Sequence, residues 1–210
     1  LYLQQNHQIQ EATQLFQEVL SLDSKQADAL HGLGLIASQQ GDFSKAIDFF
    51  RAALKIAPHI PAFHNNLANA YKRALRPQAA ITHYREALRL KSPYPEVHNN
   101  LGRLLFQQGL IDEAITHLQK AIRESPSLSD AHFNLANCYV QRDRFLDAIP
   151  HFQEVIKHKS DHLGAINNCA MCFMAIKDFA KAQPLLQKVL EREANNLDAL
   201  YHLGLTHGGL

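Results

Sequence analysis

Four asparagines stand at one phase of this chain: Asn66, Asn100, Asn134 and Asn168, each 34 residues after the last. A carboxamide carries both a hydrogen-bond donor and an acceptor, the same pair that a peptide unit presents. A row of them can hold an extended polypeptide by its backbone, whatever its side chains. Asparagine is a mediocre helix-interior residue because it competes for backbone hydrogen bonds, so its return at a fixed interval calls for a reason. Two reasons are open: the carboxamides meet a bound peptide, or they tie each repeat to the next. One hydrogen bond contributes roughly 0.5–1.5 kcal/mol net, whereas association costs at least ~4 kcal/mol. Four carboxamides therefore do not hold a ligand tightly by themselves.

Further grip is expected from residues that share a helix face with this row. Toward the N-terminal half these are polar: Asp28, His31, Asn65, Asn69, Lys72, Arg73, Asn99 and Arg103. Asn137 belongs to the same set. Toward the C-terminal half they turn apolar, with Phe106, Phe133, Val140, Met171 and Met174. Methionine among aromatics on an exposed face suits an adaptable binding surface. Burial of that patch by more polypeptide, or by a second copy of the chain, is the competing account.

The elements that must position these residues follow from self-similarity at a fixed period. Pro95–Leu128 has relatives 34 residues away on both sides, Pro61–Tyr94 and Ser129–His162. Complete units run over 27–60, 61–94, 95–128, 129–162 and 163–196, with partial units at 1–26 and 197–210. Within each, apolar residues recur at helical spacing in two blocks, predicting a helix A and a helix B. Helix A carries Leu33, Leu67, Leu101, Leu135 and Cys169, each followed by Gly or Ala. A glycine inside a helix costs roughly 1 kcal/mol, so the small residue predicts close approach of another helix backbone. Helix B carries Ala46, Ala80, Ala114, Ala148 and Ala182, each four residues before a bulky Phe50, Tyr84, Leu118, Phe152 or Leu186. Small beside large is how two helices interlock at native density.

Gly41 and Gly109 fall where helix A must end. Pro61, Pro95 and Pro77 fall in first helical turns, where a missing N–H is harmless. Pro150 and Pro184 fall inside helix B, predicting a late start or a bend there.

Other signals are weaker. Charge is nearly balanced, with 21 Lys+Arg against 20 Asp+Glu and the basic residues spread over all repeats, which disfavours nucleic acid. No apolar stretch approaches the ~20 residues needed to cross a bilayer. Rows of histidine (His64, His98, His132 and His83, His117, His151) repeat along the chain, whereas a metal site needs ligands converging at one point. Cys138, Cys169 and Cys172 read as small buried apolar thiols. The odd count argues against a disulfide framework and for a reducing, cytoplasmic compartment. No nucleophile elbow, phosphate loop or paired-carboxylate signature is present, so neither catalysis nor a cofactor is expected of this segment. The chain begins with Leu1 and both ends fall inside a repeat, which reads as a piece of a longer protein.

The spacing resembles the tetratricopeptide repeat: Leu67-Ala68 with Tyr71, Ala46 with Phe50, and Pro58 or Pro126 closing a unit stand at the family's offsets. Its tryptophan is replaced by His64, His98 and His132 in three repeats. The central repeats are similar to those of O-linked N-acetylglucosamine transferases, through His64-Asn65-Asn66-Leu67 and the run Ala80–Leu88. The resemblance implies an all-α, right-handed superhelical solenoid over 1–210, with helix A lining a concave groove. It also implies an asparagine ladder that takes an extended peptide or helix of a protein partner. A substrate-recruiting arm of a larger glycosyl- or methyltransferase, and a homodimerising scaffold, are the alternatives.

Overall fold

A computed structural model describes the backbone of residues 2–208 and the side chains of residues 8–206. Leu1, Gly209 and Leu210 lie outside the described residues, so the Gly208-Gly209 pair and the extreme ends of the partial units are not covered. Within them the chain forms twelve helices: α1 (Tyr2–Leu22), α2 (Ala27–Gln39), α3 (Phe43–Ile56), α4 (Pro61–Arg73), α5 (Pro77–Leu90), α6 (Pro95–Gln107), α7 (Ile111–Glu124), α8 (Ser129–Val140), α9 (Phe145–His158), α10 (Leu163–Ala175), α11 (Phe179–Arg192) and α12 (Leu197–Gly208). The even-numbered helices are the first helices of the repeats. They divide into two compact units, Leu1–Leu104 and Leu105–Leu210, with the division inside α6.

In the first unit α2 packs on α3, α3 on α4 and α4 on α5. Ala37, Ala46, Ile47, Phe50, Leu67 and Ala70 form one buried cluster there, with Phe49 and Tyr71 against its edge. In the second unit α8 packs on α9, α9 on α10 and α10 on α11. The helix B alanines Ala46, Ala80, Ala114, Ala148 and Ala182 are 0% exposed, and so are Phe50, Tyr84, Leu118, Phe152 and Leu186. Burying one such large side chain contributes about 1.5–3 kcal/mol.

The small residue after the core leucine has a different cause from the one the sequence suggests. A Cβ on Gly34 would lie 2.5 Å from the Phe50 ring, so a side chain, not a passing backbone, fills the space. A Cβ on Gly32 would likewise meet the ring of Phe16. Gly32 occupies the position that asparagine holds in the next four repeats, and Phe16 takes the room that an asparagine side chain needs.

Helix ends follow from local chemistry. Asp42 accepts from the backbone N–H of Lys45 at 3.0 Å and caps α3. Asp178 does the same for α11 through Lys181. The His162 ring accepts from the Ala165 N–H at 3.0 Å and caps α10. After α2, α4, α6, α8 and α10 the chain turns through a left-handed residue at one repeat position: Gly41, Leu75, Gly109, Asp143 and Lys177. Glycine adopts that conformation freely and leucine does so at a cost.

The late start expected of the proline-containing helices does not occur. α9 and α11 begin at Phe145 and Phe179, in register with Phe43, Pro77 and Ile111 of the other repeats. Pro150 and Pro184 are exposed, so the carbonyl each one frees can be hydrated. Ala148, Phe152, Ala182 and Leu186 meanwhile hold the helix to the core.

Candidate functional site

The residues singled out by the sequence sit on the first helices, and the two units place different chemistry there. In the first unit, Asn65, Asn66, Asn69 and Lys72 follow one another along α4 and are half-buried. Asn66 Nδ2 lies 2.9 Å from His31 Nε2 on α2. An amide nitrogen only donates, so His31 accepts through Nε2 and carries its proton on Nδ1. Burial lowers the His31 pKa against the opposing pull of Asp28, in keeping with a neutral ring. Asn66 Oδ1 accepts from Asn65 Nδ2 at 3.3 Å. One N–H and one lone pair of Asn66 are left over by these contacts.

Asn69 is held differently. The buried Tyr84 hydroxyl donates to Asn69 Oδ1 at 2.5 Å, which turns the amide nitrogen away from α5. Burial raises the Tyr84 pKa, so the hydroxyl remains a donor. Beside it stand three cations. Lys72 is pushed down to about 8, first by burial and then by the charges of Arg103 and Arg73. The Arg73 guanidinium lies over the Phe43 ring, 5.1 Å from its centre. Asn99 and Asn100 are half-buried on α6, and Asn99 engages a neighbour.

In the second unit, Asn168 Nδ2 donates to Asn137 Oδ1 at 3.0 Å, tying α10 to α8. Asn134 is half-buried and also partnered. Phe106 and Val140 are half-buried. Phe133 packs edge-on to Phe152, at 5.9 Å between ring centres, and against His162 at 4.8 Å. Met171 and Met174 line an open cavity of about 320 Å³ with Ala175, Lys177, Phe179, His202 and Leu205. Five of these lining residues were not anticipated. Leu205 could have been, because it repeats the phase of Met171, Asn137 and Asn69.

The histidine rows are packing devices. His64 Nε2 is 3.0 Å from the Pro58 carbonyl oxygen, which can only accept, so the proton sits on Nε2. His64 Nδ1 then accepts from His83 Nδ1 at 3.0 Å. The second unit repeats the chain: His132 Nε2 donates to the Pro126 carbonyl and His132 Nδ1 faces His151 Nδ1, both at 2.9 Å. Tyr71 and Tyr139 stack on His83 and His151. Burial, then the partner histidine, lowers the pKa of His83 and of His151. Among the described residues no group of three His, Cys, Asp or Glu side chains converges to hold a metal. Cys138, Cys169 and Cys172 are buried and free, and burial pushes their thiols up to about 12, 12 and 11.

Three family models, each described as tetratricopeptide repeat, match residues 1–59, 65–129 and 141–206. The chain belongs to the tetratricopeptide repeat family. Solved structures show the same fold in this repeat class. YrrB, a TPR protein with an unusual peptide-binding site, superposes with a TM-score of 0.77 at 19% identity, over 89% of this chain and 96% of that one. PilW, a widely conserved type IV pilus biogenesis factor, gives 0.78 at 19% over 95% and 93%. MamA gives 0.74 at 23% over 82% and 94%. No curated protein matches the chain in sequence. The likeness of the central repeats to O-linked N-acetylglucosamine transferases rests on their motifs alone. The tetratricopeptide helices described here include none that is long and apolar enough to cross a membrane.

Proposed function

We propose that this chain is a protein-interaction scaffold whose first-helix faces hold an extended segment of a partner polypeptide. The family and the fold support the scaffold. The peptide reading is carried by one observation: contacts between repeats orient the row of carboxamides without exhausting it. Asn66 keeps one N–H and one lone pair, and Asn168 keeps one N–H and its oxygen after the bond to Asn137. The same side chains thus tie repeats together and present peptide-like donors and acceptors to a ligand. Asn100 and Asn134 complete the row, while Phe106, Phe133, Val140, Met171 and Met174 supply apolar anchors.

The test uses a partner captured by the intact chain. Replacing Asn66, Asn100, Asn134 and Asn168 together by Ala should weaken its binding by tenfold or more, at about 1 kcal/mol per lost hydrogen bond. Helical content should stay unchanged and the melting temperature should fall modestly. A sharp fall in melting temperature with unchanged affinity would assign the row to repeat stacking alone.

A further inference from the structure

We infer that the cavity between α3, α4 and α5, lined by Arg51, Lys55 and the His64–His83 pair, is a site for a phosphomonoester group. It lies apart from the face assigned to the partner polypeptide, so either reading can fail without the other.

Helix geometry separates the two places. With about 3.6 residues to the turn of α4, Asn65, Asn66, Asn69 and Lys72 share one side, and His64, Leu67 and Tyr71 fall on the other. Arg51, Leu54 and Lys55 of α3, His64 and Leu67 of α4, and His83 of α5 line an open cavity of about 290 Å³.

A hydrogen-bonded relay orients the imidazole. The Pro58 carbonyl accepts from His64 Nε2 at 3.0 Å, and His64 Nδ1 accepts from His83 Nδ1 at 3.0 Å. The neutral His83 ring therefore keeps Nε2 unprotonated, and among the described residues that nitrogen has no partner. Tyr71 stacks on the ring, 5.6 Å between centres. Burial, then His64, lowers the His83 pKa, with Arg51 acting the same way and Glu86 opposing. Glu86 is itself held by Arg89 through two bonds of 2.7 and 2.9 Å. The ring thus stays neutral until an anion supplies balancing charge. Once protonated at Nε2, it donates there to the anion and still donates from Nδ1 to His64.

The cations are left over by a change in sequence. Arg89 and Lys157 stand at the repeat position of Lys55, and each pairs with a glutamate three residues earlier, Glu86 at 2.7 Å and Glu154 at 3.3 Å. Lys55 has Ala52 in that place. Among the described residues neither Arg51 nor Lys55 forms an ion pair. The equivalent place in the second unit is satisfied internally, because Gln119 replaces Arg51 and donates to the Tyr139 hydroxyl at 3.0 Å.

A guanidinium, an ammonium and an imidazolium can only donate. A phosphoryl group offers three strong acceptor oxygens and nearly two negative charges at about pH 7, more than a carboxylate offers on both counts. Its second ionisation, at about pH 6, lies close to that of an ordinary imidazole, so one proton can be shared between them. Leu54 and Leu67 leave an apolar wall for the carbon skeleton that carries the phosphate. That carrier is a small ester or a phosphorylated side chain, and the test separates the two.

The test is an NMR titration of the whole chain with phenyl phosphate, benzoate, and a short peptide with and without phosphoserine. Phenyl phosphate should bind at least about tenfold more tightly than benzoate and shift Arg51, Lys55 and the His83 ring, whose nitrogens should take the protonated form. Arg51→Gln with Lys55→Gln should weaken it about tenfold or more. Lys120→Gln with Arg123→Gln, which removes the same charge from the matching stretch of α7, should not. Between about pH 7 and about pH 8.5 affinity should fall as the shared proton is lost, and His83→Gln should flatten that dependence. Thermal melts check the folding of each variant. A phosphopeptide that binds more tightly than phenyl phosphate identifies a partner's phosphorylated side chain as the source; equal or weaker binding identifies a small ester, and both support the site. Equal binding of phenyl phosphate and benzoate, equal loss in both double variants, or a pH dependence that survives His83→Gln would each overturn it.

Discussion

The two units set different side chains on matching positions of their first helices. Asn69 and Arg103 in the first unit share a repeat phase with Asn137 and Met171 in the second, and Lys72 shares one with Phe106, Val140 and Met174. The first unit holds more basic than acidic residues and the second the reverse. Beneath these faces nothing comparable changes. Ala46 and Phe50 are as fully buried as Ala148 and Phe152, and His64–His83 hydrogen-bonds as His132–His151 does. In a repeat protein each unit packs only on its neighbours, so positions that make those contacts are fixed and the remaining face is free to diverge. The fold is written in what stays the same between the units, and under the proposed function the choice of ligand is written in what differs.

The largest effect tests the shared core. Phe50→Ala and Phe152→Ala should each destabilise by about 3–5 kcal/mol in urea unfolding, because both side chains are 0% exposed. Near-equal costs would sharpen the comparison. A cost confined to one variant would break it.

The next effect tests the divergent faces. Met171→Ser with Met174→Ser should weaken an apolar leucine-rich peptide by about tenfold, since each removes buried apolar contact. Lys72→Gln with Arg103→Gln should leave that peptide's affinity nearly unchanged. Isothermal titration of both variants with that peptide and an acidic one gives the crossed result, and a variant that weakens both alike would erase the distinction.

A third effect follows from Lys72 alone. Its pKa of about 8 lies within reach of ordinary buffers, whereas an unperturbed lysine remains charged throughout. Raising the pH from about 7 to about 9 should weaken an acidic peptide up to about tenfold as the ammonium deprotonates. The sign for stability is opposite. The unfolded chain binds the lysine proton more tightly than the folded one, so stability contributed by this group rises with pH from about 8 to about 10. Lys72→Gln should remove both dependences, and an unchanged affinity profile would show that the cation does not touch the bound peptide.

The smallest effect concerns a turn. Leu75 is 88% exposed and left-handed, at the repeat position where Gly41 and Gly109 sit. Leu75→Gly should stabilise by about 1 kcal/mol, the relief of a strained backbone less the added freedom of the unfolded chain. A thermal melt that shows destabilisation would contradict that strain.

The periodic part of this molecule was legible in the sequence because a period is a long-range signal repeated many times. First helices begin at Ala27, Pro61, Pro95, Ser129, Leu163 and Leu197, where the repeat phase places them. What broke the period was harder to read. Leu75, Asp143 and Lys177 adopt a glycine-like conformation that their side chains do not advertise. Pro150 and Pro184 look like helix breakers until their exposure is known. Gly32 makes sense only once the Phe16 ring is seen to occupy its space. At the site, residue types and phases pointed to the face. The contacts of Asn69 with Tyr84 and of Asn137 with Asn168 required coordinates.

The most direct test of the account is an amide-resolved NMR titration of the chain with a segment of its captured partner. We expect shift changes on the exposed faces of α4, α6, α8 and α10, centred on Asn66, Lys72, Asn100, Asn134, Val140, Asn168 and Met171. Changes clustered instead on α3, α5, α7, α9 and α11, with the first helices silent, would contradict it.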